Sequence, residues 1–108
     1  MRGLILGLAA LVVTSPFAQA EGDITAGRTI MAAKCQGCHG KEGLSKSIST
    51  PNLAGQREYY LIWSLRKYKT GKRESPMMSS ALKSLSDEDM VNVAAYYAAI
   101  KIIVEVPK

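Results

Sequence analysis

"KCQGCHGKEG", residues 34–43, holds both cysteines of the 108-residue chain and its one histidine. Cys35, Cys38 and His39 fall within five consecutive positions. A thiol pair at this spacing has three chemistries open to it: a redox dithiol, half of a zinc site, or covalent attachment of a haem through both sulfurs. The rest of the chain discriminates among them.

A Cys35–Cys38 disulfide would close a very short loop and restrain little of the unfolded chain. A structural zinc ion takes four ligands, mostly Cys and His. This chain offers three, adjacent in sequence, which disfavours a closed site within one chain. A thioredoxin-like dithiol belongs to a βαβ context. No strand pattern appears before the C-terminal tail, and the pair sits at the end of a helical pattern rather than at its start. Cys-x-x-Cys-His remains, the attachment motif of c-type haem. Two thiols three residues apart on a helical turn reach two vinyl groups along one porphyrin edge. His39, next in sequence, is then aimed at iron.

The flanking sequence agrees. Residues 1–20 read as a signal peptide: Arg2, the apolar run 3–13, and the small-x-small site Ala18, Gln19, Ala20. The run is too short to span a bilayer. The chain is therefore predicted to reach the periplasm, to be cleaved after Ala20 and not to insert in the membrane afterwards. Residues 21–108 then form a single domain. A domain this small needs a staple, and a large apolar cofactor is one. The net charge is +5. Arg57, Arg66, Lys67, Lys69, Lys72 and Arg73 cluster on one stretch, either as a solvated helix face or as a docking surface for an acidic partner. Export and the lack of a stacking-aromatic motif argue against nucleic acid.

Three main helices are predicted. Asp23 caps the first, "ITAGRTIMAAKC" (24–35), with Gly27 inside it. The second is "QREYYLIWSLRKYKTG" (56–71), with Leu61, Leu65 and Tyr68 on one face and Gly71 at its C-terminal end. The third starts at Ser86, with Asp87, Glu88 and Asp89 in its first turn, and runs to about Ile100. Residues 37–55 and 72–85 read as irregular. A loop as long as the first is unusual in a small domain unless it wraps something. The fold class is all-α, with long loops around one covalently bound haem.

For the second axial position, a soft thioether raises the reduction potential and suits electron transfer. Met31 and Met90 lie in helical patterns and read as core. Met77 and Met78 follow Pro76 in a polar stretch, so one is expected to ligate iron and the other to pack on the ring. The carbonyl of Pro51 is a candidate acceptor for the remaining ring N–H of His39.

The stretches "AGRTIMAAKCQGCHGKEG", "TPNLAGQREYYL", "LRKYKTGKRESPMM" and "LKSLSDEDMVNVAAYYAAI" resemble the small bacterial class I cytochromes c, in particular the cytochrome c4-like and c553-like group. They span nearly all of residues 26–100. The resemblance implies crossed N- and C-terminal helices, with Gly27 against Tyr96 or Tyr97. It implies Met78 rather than Met77 as axial ligand, because the family methionine stands eight residues before the capping serine, here Ser86. It also maps the histidine's carbonyl partner onto Pro51. Met31 stands where the group often has an aromatic residue, which should soften the crossing.

Trp63, paired with Tyr59 one turn away, and the apolar tail "KIIVEVPK" depart from a plain soluble shuttle and are interface candidates. The tail's residues are Ile102, Ile103, Val104 and Val106. Related single-haem subunits occur in flavocytochrome c sulfide dehydrogenases, so a flavoprotein docking near Trp63, Tyr59 and the tail is the expected partner. A freely diffusing electron shuttle is the alternative, and a haem enzyme or gas sensor with an open iron site is a second. In the first two readings no substrate is transformed by this chain alone.

Overall fold

Asp23 opens the first helix, its Oδ1 accepting from the Ala26 amide at 3.0 Å. The computed structural model describes residues 3–5, 7–13 and 22–108. The expected cleavage motif at residues 18–20 lies outside them.

Helix α1 (Ile24–Ile30) continues without a break into a π-helical turn, Met31–Cys35, and then into α2, Gln36–His39. The turn is widened because the Gln36 amide reaches back five residues to the Met31 carbonyl. Helical backbone therefore extends through His39, and the loop expected from residue 37 starts only at Gly40. Helix α3 spans Glu58–Lys69 and α5 spans Asp87–Ala98. Ser86 caps α5 in a reciprocal box: its Oγ accepts from the Asp89 amide at 3.1 Å, and its own amide donates to Asp89 Oδ2 at 3.0 Å. No strand occurs among the described residues.

One expectation is corrected. Residues 72–85 are not irregular throughout, because Pro76–Leu82 forms a short helix, α4. Ser75 caps it, its Oγ accepting from the Met78 amide at 3.3 Å, and Pro76 takes the first turn. Proline fits there because its missing N–H has no helical partner at that position anyway. Met77 and Met78 thus lie on a helical turn, not in a loop.

Helices α1 and α5 cross at Gly27. A Cβ added to Gly27 would lie 2.0 Å from the Asn92 carbonyl oxygen and 3.1 Å from Tyr96 Cβ. The glycine accordingly faces Asn92 and Tyr96. Met31, Leu61, Ile62, Val93, Ala94 and Tyr97 fill the core between α1, α3 and α5. Burying one such large apolar side chain contributes about 1.5–3 kcal/mol. Leu82, Leu85 and Met90 make a second cluster, onto which Met78, Tyr68, Leu65 and Ile30 pack. Ile30 and Leu65 touch both clusters and join them.

The cationic run on α3 is largely committed to internal contacts. Arg66 forms a two-pronged bond to Asp87, with both N···O distances 2.8 Å. Lys67 lies 5.3 Å from the centre of the Trp63 ring. Arg73 covers Tyr68 at 4.5 Å and donates to Ser64 Oγ at 3.3 Å. Trp63 stacks on Tyr60 at 6.0 Å rather than on Tyr59. The i, i+3 step to Tyr60 puts both rings on one side of the helix. Tyr59 stands apart, 80 % exposed. The tail starts against the fold, with Ile102 beside Gly55, and then leaves Ile103, Val104 and Val106 exposed.

Candidate functional site

The continuous helix ending at His39 carries Cys35 and Cys38 on its last turns. Cys35 is half-buried, Cys38 is exposed, and both thiols are unpaired. Burial pushes the Cys35 thiol up to about 11. The helix is broken at Gly40, whose φ of +81° favours glycine. A Cβ there would also meet the Leu44 carbonyl oxygen at 2.4 Å. The chain must turn directly after His39, and glycine permits it.

His39 is buried, with 8 % of its surface exposed. Its Nδ1 lies 2.9 Å from the Pro51 carbonyl oxygen. A carbonyl only accepts, so Nδ1 is the donor, and in the tautomer that this bond selects the lone pair lies on Nε2. The loop that delivers Pro51 is itself fastened. The Leu53 and Ala54 amides donate to the Gly43 carbonyl at 2.8 and 3.1 Å, and the Ser45 amide donates to Asn52 Oδ1 at 2.7 Å. The Gly55 amide then ties the end of the loop to the Tyr97 carbonyl at 3.0 Å.

Met78 and Met77 differ in setting. Met78 is half-buried and packs on the Leu82, Leu85 and Met90 cluster, whereas Met77 is 71 % exposed. Met31 and Met90 are buried in the two core clusters. Among the described residues, no three His, Cys, Asp or Glu side chains gather as a metal-binding group.

Two functional contacts escape sequence reasoning. Tyr97 Oη donates to the Gly40 carbonyl at 2.9 Å and Tyr96 Oη donates to the Lys41 carbonyl at 2.6 Å. Helix α5 thereby grips the turn immediately after His39. Burial, with smaller effects from Cys35 and Tyr96, holds the Tyr97 hydroxyl well above the usual phenol range. A buried tyrosine needs a partner for its hydroxyl, which signals that a bond exists but not to which carbonyl.

Residues 22–96 match the protein-family model described as "Cytochrome C oxidase, cbb3-type, subunit III". The chain belongs to the cytochrome c family. It is 39 % identical over 104 residues to cytochrome c4 of Pseudomonas aeruginosa, covering 96 % of this chain and 51 % of that protein. It is 37 % identical to cytochrome c-554(548) of Halomonas halodenitrificans, over 72 % of this chain and 96 % of the relative. The cytochrome subunit of sulfide dehydrogenase from Chlorobaculum tepidum is 30 % identical, over 84 % of this chain and 76 % of the relative. The crystal structure of reduced recombinant cytochrome c4 from Pseudomonas stutzeri superposes with a TM-score of 0.69 at 37 % identity, covering 74 % of this chain and 46 % of that one. The chain spans about half the length of the cytochromes c4 it matches.

The fold is that of a class I cytochrome c, and the family's prosthetic group is covalently bound haem c. The donor set fits that group. It comprises two unpaired thiols on one helical segment and, next to them, a buried histidine whose tautomer leaves Nε2 free to bind a metal. Among the described residues no helix is long and apolar enough to cross a membrane.

Proposed function

We propose that this chain is a periplasmic one-electron carrier, with Cys35 and Cys38 as haem attachment points and His39 and Met78 as the axial iron ligands. The observation that carries the reading is the 2.9 Å contact from His39 Nδ1 to the Pro51 carbonyl. It fixes the ring's orientation and tautomer on the same helical segment that bears both cysteines. The haem, when bound, supplies reversible exchange of one electron between Fe(III) and Fe(II). The chain's part is to hold the histidine still, exclude water from its ring and supply a soft sulfur opposite. A fixed ligand pair keeps reorganisation small when the charge changes. Of the adjacent methionines, burial favours Met78.

Oxidised protein should show the far-red methionine–iron charge-transfer band. Met78→Ala should abolish it and Met77→Ala should retain it. A wild type without the band would replace this reading with a haem enzyme or sensor that keeps an open iron site. Mass spectrometry of the exported protein should find residues 21–108 plus one haem, with no alkylatable thiol. A mass that retained residues 1–20 would overturn cleavage after Ala20.

The favoured partner is the flavoprotein subunit of a sulfide-oxidising dehydrogenase. The Chlorobaculum relative supports this, and so does the exposure of Tyr59, of the stacked Tyr60–Trp63 pair and of the tail residues Ile103, Val104 and Val106. Native purification should bring down a flavin-containing chain, and Trp63→Ala should weaken its retention. A monodisperse monomer that reduces respiratory acceptors without such a partner would make the chain a diffusing shuttle.

A further inference from the structure

The end of α3 is fastened to α4, the helix that carries Met78. Lys69 Nζ donates to three backbone carbonyls, those of Leu82 at 2.8 Å, Lys83 at 3.2 Å and Leu85 at 2.5 Å. An ammonium has three N–H donors and no acceptor, so the match uses its full capacity. The carbonyls lie at the C-terminal end of α4 and in the turn beyond it. A helix end leaves such groups without intrahelical partners and carries partial negative charge. Ser79 Oγ adds a second tie, donating to the Tyr68 carbonyl at 3.2 Å. Helix α4 has only seven residues, too few to hold itself in place. Its position depends on the Leu82, Leu85 and Met90 cluster and on these two ties.

We propose that Lys69 is a positioning residue for the electron-transfer site: its ammonium clamps α4 so that Met78 stays directed at the iron. This rests on the reading of Met78 as an axial ligand. Lys69 is far from the Cys-x-x-Cys-His segment in sequence and touches neither cysteine nor His39 in the bonds it makes. Removing its charge therefore loosens the methionine side of the site and leaves the histidine side intact. With α4 loosened, Met78 leaves the iron more often, and an external ligand competes more easily.

The test is imidazole titration of the oxidised, haem-loaded protein, followed through the change in the Soret band, which every variant has, with loss of the far-red band as a second readout where that band is present. Lys69→Met keeps the length of the stem and removes the donors. It should bind imidazole about tenfold tighter than wild type, which corresponds to about 1.4 kcal/mol. Ser79→Ala should shift the affinity in the same direction by a smaller factor, and it keeps the test open should Lys69→Met fail to fold. Arg66→Gln cuts a tie from the same helix to α5 rather than to α4, and it should leave the imidazole affinity unchanged. Affinities of Lys69→Met and Ser79→Ala within twofold of wild type would overturn the clamp. An effect equal to that of Arg66→Gln would do the same, since it would reduce Lys69 to a general contributor to stability. Met78→Ala separates the two layers of the proposal. If it binds imidazole far more tightly than wild type while Lys69→Met does not, only the clamp fails. If it binds no more tightly than wild type, Met78 is not the ligand and the clamp falls with it.

Discussion

Gly27→Ala sets two effects of opposite sign against each other. Within an exposed helix the change is favourable by about 1 kcal/mol, because alanine loses less backbone freedom on folding. Here the new methyl carbon would lie 2.0 Å from the Asn92 carbonyl oxygen and 2.6 Å from its carbonyl carbon. Both are backbone atoms of α5, which cannot swing aside as the tip of a side chain can. Ordinary contact requires the two helices to part by about 1 Å or more, and a gap of that size forfeits up to about half of each dispersion contact across it. The residues that would separate include Met31, Val93, Ala94 and Tyr97, the centre of the core. Overpacking of this kind costs about 1–3 kcal/mol and occasionally more. A clash with backbone on both sides belongs at the upper end. The net expectation is a loss of about 2 kcal/mol, or about 10 °C in Tm for a domain of this size. Guanidinium denaturation of the haem-loaded protein, followed by far-UV circular dichroism, measures it. Tyr96→Ala should not rescue the variant, because the closest contact is with Asn92 backbone. A Gly27→Ala protein as stable as wild type, or more so, would refute the reasoning.

Tyr97→Phe keeps the ring in the core but removes the donor to the Gly40 carbonyl, and it should cost about 1–2 kcal/mol in denaturant titration. Because the Tyr97 hydroxyl is raised in the folded state, its contribution is complete below the ordinary phenol value of about 10 and is lost as pH rises past it. The alkaline fall in stability should therefore be shallower in Tyr97→Phe than in wild type. Ser86→Ala breaks the capping box of α5 and should lower stability by about 1 kcal/mol in the same assay. The Arg66 hydrogen bond holds the Asp87 carboxyl below its usual range, so the pair's contribution is present at neutral pH and is lost as pH falls through the folded-state value. In Arg66→Gln the carboxyl should titrate higher by NMR. Stability at neutral pH should barely change, because the pair is exposed.

The parts of this fold that were legible in the sequence are those governed by local rules. Asp23 and Ser86 announce helix starts because a short side-chain acceptor satisfies a free amide within three residues. Cys35, Cys38 and His39 stand close together on one helical segment because their spacing alone puts them there, and the proposed haem attachment rests on that spacing. Leu61, Leu65 and Tyr68 mark the inner face of α3 by periodicity alone. The α4 helix does leave a trace, since Ser75-Pro76 is a helix start and Met78, Ala81, Leu82 and Leu85 follow the i, i+3, i+4, i+7 pattern, but the surrounding Ser, Lys and Arg residues and the shortness of the period mask it. The pairing of Trp63 with Tyr60 rather than Tyr59 depends on rotamers and on Lys67. The bonds of Tyr96, Tyr97 and Lys69 were illegible for a different reason. Their acceptors are main-chain carbonyls, which every residue has, so no residue type marks the far end.

Those illegible bonds also give the site its asymmetry. The proposed histidine side is gripped by a buried tyrosine and by the Pro51 carbonyl, in a region walled by the α1–α5 crossing. The proposed methionine side hangs on a short helix held by the small Leu82, Leu85 and Met90 cluster, one exposed lysine and one serine. The difference is one of anchorage rather than solvent access, since the His39 and Tyr97 bonds and two of the three Lys69 bonds are all partly buried. Helix α4 is seven residues long, whereas His39 ends a continuous helical run over residues 24–39 that packs on α5. Opening should thus begin at Met78 and leave His39 bound. With the haem held as proposed, brief excursions on the Met78 face would be tolerated, because His39 and the two thioethers would keep it in place. The perturbation that best separates the sides is a pair of variants, Lys69→Met and Tyr97→Phe. The first should act on imidazole affinity with a modest change in global stability. The second should act on global stability while leaving imidazole affinity close to that of wild type. Equal effects of both variants on both measurements would show that the two faces open together, and the asymmetry would then be wrong.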